Sequence, residues 1–161
     1  MINRVLIIFV LLFFAEGNFY SQGFEQVSGV TVSLNSVSSF DNANAWVCGA
    51  NGTVIRTTNG GNNWVNVTGN GIPVNLILIN IFAVTPSIVL TAGYVGSDTW
   101  VYRTTNNGTN WISSSLNYKS VYSLSLNGNT AFAGTGSGVY ISTDSGYTWT
   151  QTSLNNELVY A

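Results

Sequence analysis

The side chains that could perform acid–base, nucleophilic or metal chemistry are few in this chain of 161 residues. It contains no histidine, which excludes Ser-His-Asp and Cys-His catalysis and every metal site with a histidine ligand. Its one cysteine, Cys48, follows the apolar residues Ala45, Trp46 and Val47, so we expect a small buried side chain and not a nucleophile. A lone cysteine also cannot form an intrachain disulfide.

The carboxyl groups downstream of residue 21 are too scattered to predict an acid–base pair. They are Glu25, Asp41, Asp98, Asp144 and Glu157. Glycoside hydrolysis needs two carboxyl groups roughly 5 to 10 Å apart across a cleft, and the sequence indicates no such pair. The turns rich in Asn and Gly also lack the spaced carboxylates that calcium prefers. The sequence therefore predicts no catalytic residue, no metal site and no cofactor.

Arg56 and Arg103 are the candidates for a contact with an anion or a partner. They occupy the same position in two repeated units of the sequence, directly before a repeated phrase of eight residues. The alternative is that both are solvated or ion-paired side chains. With Lys119 they are the only cationic side chains downstream of residue 21. So few positive charges cannot neutralise many phosphates, which argues against nucleic acid as a partner and against docking on an anionic lipid surface.

One phrase of eight residues occurs three times and indicates which elements position these side chains. Its pattern is a hydroxyl residue, any residue, Asn or Asp, any residue, Gly, any residue, Asn or Thr, and Trp. Phrase 1 is Thr57–Trp64, phrase 2 is Thr104–Trp111 and phrase 3 is Ser142–Trp149, and their first residues lie 47 and 38 residues apart. A period of about 40 to 45 residues is the usual length of a four-stranded propeller blade.

Four short β-rich runs accompany each phrase. They are bounded by Asn, Gly, Ser or Asp, which is typical of antiparallel strands joined by tight turns. No window shows a sustained helical period. We therefore predict an all-β fold, a partial β-propeller of about three four-stranded antiparallel blades at residues 35–70, 76–116 and 119–154.

Both ends of the repeat region resemble single strands without a blade. Residues 24–28 resemble the fourth-strand run of a unit, and residues 157–161 resemble the first strand of another unit. Three blades and two orphan strands cannot close a ring of the usual size. We expect the N-terminal part of a longer propeller, with completion by association of copies as the alternative. Uncovered blade faces and strand edges also predict self-association.

The defined positions of the phrase have predicted roles in the turn. The Asn or Asp at the third position can accept hydrogen bonds from backbone N–H groups, and the Gly at the fifth permits a left-handed conformation. The Trp carries a large apolar surface into the gap between neighbouring units. The predicted structural residues are Thr57, Asn59, Gly61, Trp64, Thr104, Asn106, Gly108, Trp111, Ser142, Asp144, Gly146 and Trp149.

The phrase resembles the Asp-box, also called the bacterial neuraminidase repeat, with the pattern Ser/Thr-X-Asp-X-Gly-X-Thr-Trp. Phrase 3 matches every defined position, whereas phrases 1 and 2 carry Asn59 and Asn106 in place of Asp. The resemblance implies a β-propeller in which the box is structural, so Asp144 would stabilise a turn. The short blades are most similar to photosystem II assembly factor-like repeat proteins. A sialidase would need three arginines, and the chain beyond residue 21 has two.

The resemblance implies a non-enzymatic repeat scaffold that binds a protein or a glycan through exposed loops. Trp46 and Trp100 are candidate stacking platforms for a glycan, although aromatic residues on strands also pack between blades. The alternative function is that of a fragment of a sialidase-like or other glycoside hydrolase propeller that lacks its active site.

The N-terminal segment predicts export. Arg4 precedes an unbroken apolar run from Val5 to Ala15, which is typical of a secretory signal peptide and shorter than the roughly 20 residues of a spanning helix. We place the signal peptide at residues 1–21 and the propeller at 22–161, with cleavage after Gly17 as the other possibility. The expected location is secreted, cell-surface or periplasmic, without a permanent membrane anchor.

Overall fold

The computed structural model describes residues 25–117 and 119–160, which form strands and turns and contain no helix. The predicted signal peptide and Phe24, Tyr118 and Ala161 lie outside these residues. Within them, no helix is long and apolar enough to cross a membrane. The strands are β1 (Leu34–Ser39), β2 (Ala45–Gly49), β3 (Val54–Thr57), β4 (Val65–Asn66), β5 (Ile77–Ala83), β6 (Val89–Val95), β7 (Asp98–Thr104), β8 (Ile112–Ser113), β9 (Val121–Asn127), β10 (Thr130–Thr135), β11 (Gly138–Ser142) and β12 (Thr150–Asn155).

The strands form three four-stranded antiparallel sheets, each in chain order. Blade 1 contains β1 to β4, blade 2 contains β5 to β8 and blade 3 contains β9 to β12. This confirms the predicted all-β class and the partial propeller of about three blades. Short turns produce this order; in the turn between β2 and β3, Asn51 and Gly52 have φ of 59° and 61°, as an Asn-Gly hairpin turn requires.

The hydrophobic core lies between the sheets. At the first boundary Trp46 and Val54 of blade 1 pack with Val89 and Trp111 of blade 2. At the second boundary side chains of β6 and β7 pack with side chains of β9, β10 and β11. The middle strands of blade 2 are therefore covered on both faces, and every residue of β2 in blade 1 is buried. A stack of this kind stabilises each blade through its neighbours.

The first strands of the blades lie side by side and are tied by polar contacts. The N–H of Ile81 donates to Ser36 Oγ at 3.4 Å and the N–H of Ala83 donates to Ser38 Oγ at 3.0 Å. One residue is skipped in the pairing of β1, between Leu34 and Ser36, and the pairings of β5 and β9 carry a shift at the equivalent place. A shared bulge shows that the three blades repeat one design in detail.

The predicted orphan strands 24–28 and 157–161 are not regular strands in the described part of each range. At the first, Gln26 forms an isolated bridge. At the second, residues 158–160 have no strand assignment, although the N–H of Val159 donates to the Thr135 carbonyl oxygen at 3.1 Å. A ladder needs a complete neighbouring strand edge, and each segment makes only local contacts with the adjoining blade.

Candidate functional site

The three phrases form the same closed circuit of hydrogen bonds. The first hydroxyl accepts from the N–H of the glycine, at 2.9, 3.0 and 2.9 Å in phrases 1, 2 and 3. It donates to Oδ1 of the third residue, at 2.9, 2.9 and 2.7 Å. That oxygen also accepts from the N–H of the seventh residue, at 2.9, 3.0 and 2.8 Å. Each turn thus satisfies its polar groups internally.

Asp144 accepts more hydrogen bonds within its turn than the asparagines at the same position of phrases 1 and 2. It also accepts from the N–H of Tyr147 at 3.0 Å and, through Oδ2, from the hydroxyl of Thr148 at 2.6 Å. Burial alone would raise the pKa of Asp144, but the hydrogen bonds from Thr148, Ser142 and Tyr147 outweigh it and lower the pKa to about 2. The carboxylate is therefore ionised at neutral pH and suited to holding a turn.

The phrase glycines are needed for packing as well as for their backbone conformation. Their φ values are 88°, 77° and 84° in phrases 1, 2 and 3, in the left-handed region. A Cβ added to Gly108 would lie 3.2 Å from Trp46, and one added to Gly146 would lie 2.6 Å from Leu90. Gly108 and Gly146 therefore each receive a large side chain from the preceding blade, whereas Gly61 is met by the side chain of Gln26. Sequence reasoning found the conformational role and missed this contact.

The tryptophans that end the phrases lie on the face of their own blade that is turned toward the preceding blade. Trp111 is 3% exposed and meets Trp46 edge-on, with ring centroids 6.1 Å apart. Trp149 packs against the cluster between blades 2 and 3, and Trp64 packs against Val47 and Ile55 of its own blade. The indole N–H of Trp64 donates to Oε1 of Gln26 at 2.9 Å. The segment before β1 therefore packs on the face of blade 1 that corresponds to the face contacted by the preceding blade in blades 2 and 3.

Arg56 and Arg103 each cross a different blade boundary. Nη1 of Arg56 donates to Oδ1 of Asn107 at 3.0 Å, and its guanidinium lies 5.5 Å from the ring centroid of Trp46. Nε of Arg103 donates to the carbonyl oxygen of Ser145 at 2.8 Å. Asn107 and Ser145 hold the fourth position of phrases 2 and 3. The two arginines thus connect blades, and their contact with an external partner stays a prediction.

The remaining candidates for chemistry also serve the fold. Asp41 accepts hydrogen bonds from Asn44 and from the N–H of Ala43, which lower its pKa. Cys48 is fully buried, and burial raises the pKa of its thiol to about 12. Trp46 is buried and cannot stack on a glycan. Among residues 25–117 and 119–160, no three side chains of His, Cys, Asp or Glu are grouped to hold a metal ion.

A comparison with protein families identifies the family to which the repeat belongs. The family whose model matches is described as photosynthesis system II assembly factor YCF48, and the match covers residues 18–117. The chain belongs to the YCF48 family. The matched range contains all of blades 1 and 2 with phrases 1 and 2. The suspected Asp-box propeller kinship is thereby confirmed.

Solved structures of YCF48 and of a GH74 enzyme share this fold. YCF48 bound to a D1 peptide is 22% identical with a TM-score of 0.60, over 74% of this chain and 39% of that chain. YCF48 from Cyanidioschyzon merolae is 21% identical with a TM-score of 0.59, over 80% and 41%. An ancestral GH74 enzyme is 22% identical with a TM-score of 0.58, over 80% and 20%.

These likenesses establish the fold and leave the activity open. Binding proteins and enzymes both appear among the similar structures, and a shared fold does not define a function. The chain spans about two fifths of the length of the two YCF48 chains. A search of curated proteins gave no significant match.

Proposed function

We propose that this chain is an exported, non-enzymatic binding module whose ligand is another protein. One observation carries the proposal: the side chains suited to chemistry already serve the blades. Asp144 closes a turn, the two arginines cross blade boundaries and Cys48 is buried. These four side chains therefore hold the blades together, and we infer that a ligand would bind to the surface of turns and strand edges.

The protonation states of these groups support the absence of acid–base catalysis. A general acid works best when its pKa lies near the working pH, and the pKa of Asp144 is about 2. A thiol with a pKa of about 12 supplies almost no thiolate at neutral pH. Neither side chain is suited to proton transfer or nucleophilic attack under ordinary conditions.

The YCF48 structure that contains a D1 peptide supports a protein ligand. That relative binds a peptide, and we extend to this chain only the general property of binding protein. A glycan is the other ligand that a surface rich in Asn, Ser and Thr could hold. Self-association through open blade faces is a further part of the proposal.

The second candidate is a part of a glycoside hydrolase propeller, which the fold shared with an ancestral GH74 enzyme favours. Such an enzyme would place paired carboxyl groups across a cleft. Among residues 25–117 and 119–160, Asp41 and Asp144 are both engaged in hydrogen bonds within local turns. This arrangement supports the binding module over the hydrolase.

Exposing the purified protein to a peptide display library and a glycan array tests this function. We expect saturable enrichment of a set of peptides and no comparable glycan signal. We also expect no release of sugar from xyloglucan, which we choose because a GH74 xyloglucanase from Xanthomonas campestris shares this fold. The matched control is the same protein unfolded in denaturant, which should lose the peptides if they bind the folded surface. Glycan binding without peptide binding, or hydrolysis of xyloglucan, would overturn the proposal.

Export is tested separately with a reporter fusion. Residues 1–21 fused to a reporter that is active only outside the cytoplasm should give a signal, because a charged residue followed by an apolar run engages the secretion machinery. The control replaces Leu11 and Leu12 with Asp, which interrupts the apolar run and should abolish the signal. A reporter that stays inside with the natural segment would contradict export.

A further inference from the structure

Asparagine is followed directly by glycine at five places in the chain, and such a pair is chemically labile. The five asparagines are Asn51, Asn59, Asn70, Asn107 and Asn127. The backbone nitrogen of the following residue can attack Cγ of the asparagine, and a glycine has no Cβ to hinder that approach. The attack has two requirements. The N–H of the glycine must be free of hydrogen bonds, and the side-chain amide must be able to turn toward it.

Hydrogen bonds hold the N–H of the glycine in four of the five pairs. The acceptors are the carbonyl oxygens of Leu76 (from Gly52, 2.7 Å), Ala43 (from Gly60, 3.0 Å) and Gly69 (from Gly71), and Oγ1 of Thr104 (from Gly108, 3.0 Å). A nitrogen held in this way must first be released by a local opening of the fold before it can attack. These four pairs are therefore protected.

Three of the protected asparagines are also held by their side-chain amides. Oδ1 of Asn59 closes the circuit of phrase 1. Nδ2 of Asn70 donates to the carbonyl oxygen of Gly108 at 2.8 Å. Oδ1 of Asn107 accepts from Arg56 at 3.0 Å. An amide with such a partner cannot turn its Cγ toward the backbone without losing a hydrogen bond.

The fifth pair, Asn127 and Gly128, meets both requirements. Asn127 ends β9 and pairs with Thr130 at the start of β10, so Gly128 and Asn129 form the turn. Gly128 has a φ of 59°, and nothing else in the described chain lies within 4 Å of a Cβ added to it. Within residues 25–117 and 119–160, no hydrogen bond holds the N–H of Gly128 or the side-chain amide of Asn127, and both residues are exposed.

We propose that Asn127 is a site of spontaneous deamidation, with water as the co-reactant. The nitrogen of Gly128 loses its proton and bonds to Cγ of Asn127, and ammonia leaves from Cγ to give a cyclic succinimide. Water then opens the ring. Cleavage of the new Cγ–N bond gives aspartate, and cleavage of the original peptide bond gives isoaspartate, in which the backbone runs through Cγ. Both products carry a carboxylate where the native chain has a neutral amide.

The turn beside Asn127 is joined to the boundary between blades 2 and 3. The N–H of Ser145 donates to the carbonyl oxygen of Asn129 at 2.8 Å, and the hydroxyl of Ser145 donates to Oδ1 of Asn129 at 3.1 Å. The carbonyl oxygen of Ser145 in turn accepts from Arg103 of blade 2. Isoaspartate adds an atom to the backbone next to Asn129, so it displaces the partner of Ser145. Aspartate leaves the length of the backbone unchanged.

Mass spectrometry of peptides from protein aged in a mildly alkaline buffer tests the proposal. In the folded protein we expect deamidation at Asn127 at least about tenfold faster than at Asn51, because the N–H of Gly52 must first be released. Asn51 is the matched control within the same molecule, since it is also exposed and its side-chain amide has no hydrogen bond in the described chain. In denaturant the two sites should react at similar rates.

Two variants separate the chemistry of the site from its consequence at the blade boundary. Asn127→Gln should abolish the modification at this position and leave the other asparagines unaffected, because its longer side chain would have to close a larger ring. Asn127→Asp carries the charge of the product on an unaltered backbone. Hydrogen exchange in phrase 3 should stay close to native in Asn127→Asp and should quicken in the isoaspartate form, which chromatography separates from aged protein.

The results that would overturn the proposal are distinct. Equal rates at Asn127 and Asn51 in the folded protein would show that the free N–H of Gly128 does not select the site. An Asn127 that stays unmodified in folded protein would remove the site itself. Equal hydrogen exchange in the isoaspartate form and in Asn127→Asp would show that the added backbone atom does not reach the boundary between blades 2 and 3.

Discussion

Asp144 differs from its counterparts Asn59 and Asn106 by a charge, and this difference has a predictable pH dependence. Its pKa is about 2, against an ordinary value of 3.8 in the unfolded chain. The group therefore contributes stability that is complete above pH 4 and is lost as the pH falls toward 2. After allowance for screening by solvent, we expect a contribution of about 1 kcal/mol.

Asp144→Asn tests this dependence. At neutral pH the variant should unfold at lower denaturant concentration than the native protein, because an amide replaces the charge-assisted bonds from Thr148. Near pH 2 the two proteins should unfold together. Urea titrations at both pH values measure the difference, and an equal gap at both would show that the charge plays no part. Asp41 is unchanged in both proteins, so its own titration cancels.

Cys48 should be unreactive in the folded protein. It is fully buried and its thiol pKa is raised to about 12 by burial. We expect a thiol reagent at pH 8 to modify the native protein at least about a hundredfold more slowly than the protein in guanidinium. Rapid modification of the native protein would show that blades 1 and 2 separate often, because Cys48 lies in the cluster between them.

At the scale of the turn, the phrase glycines should be more sensitive to substitution than glycines with positive φ whose added Cβ would lie in open space. Gly146→Ala meets both an unfavourable backbone conformation and the side chain of Leu90. Gly128→Ala, in the hairpin between β9 and β10, meets only the first, since nothing lies within 4 Å of its added Cβ. We expect losses of about 3 and about 1 kcal/mol in unfolding free energy.

Chemical denaturation of the two alanine variants measures this difference. Both sites lie in blade 3, so the comparison holds the surrounding sheet constant. Equal losses at Gly146 and Gly128 would mean that Leu90 moves aside without cost, and the packing role of the phrase glycine would then be wrong.

The sequence was sufficient for the strands and turns because their signals are local. Short runs bounded by Asn and Gly, together with a period near 40 residues, predicted three meandering sheets, and turn residues such as Asn51 and Gly52 adopt the expected conformation. The contacts of Arg56 with Asn107 and of Trp46 with Gly108 were not predictable. They join residues more than 50 positions apart, and they depend on the register between sheets.

The expectation of strands at residues 24–28 and 157–161 stays a prediction, because the described part of each range shows no continuous ladder and the rest lies outside the described residues. Sequence similarity to a fourth or first strand indicates a propensity, but a ladder forms only along a complete neighbouring edge. Gln26 forms an isolated bridge, and the N–H of Val159 donates to the carbonyl oxygen of Thr135. Propensity is local, whereas pairing is set by what lies beside the segment.

At the scale of the whole molecule, the stack should loosen at a boundary that loses its core. Leu90 is fully buried between blades 2 and 3 and covers the glycine of phrase 3. Leu90→Ala should cost about 3 kcal/mol, and because each blade contacts only its neighbours, the loss should fall on blade 3. Hydrogen exchange should quicken in residues 121–155 and stay unchanged in residues 34–66.

Val65→Ala is the control for this experiment, since Val65 is 55% exposed on β4 and supports no boundary. It should leave exchange in every blade close to that of the native protein. A uniform increase across all three blades in Leu90→Ala would show that the sheets unfold as one unit.

The bridges between blades use neutral acceptors, and this sets how the molecule responds to dissolved ions. Arg56 donates to an amide oxygen and Arg103 donates to a backbone carbonyl. Salt weakens attraction between opposite charges at the surface, but it has little effect on a hydrogen bond between a cation and a neutral oxygen. The blades should therefore stay aligned at both low and high salt concentration.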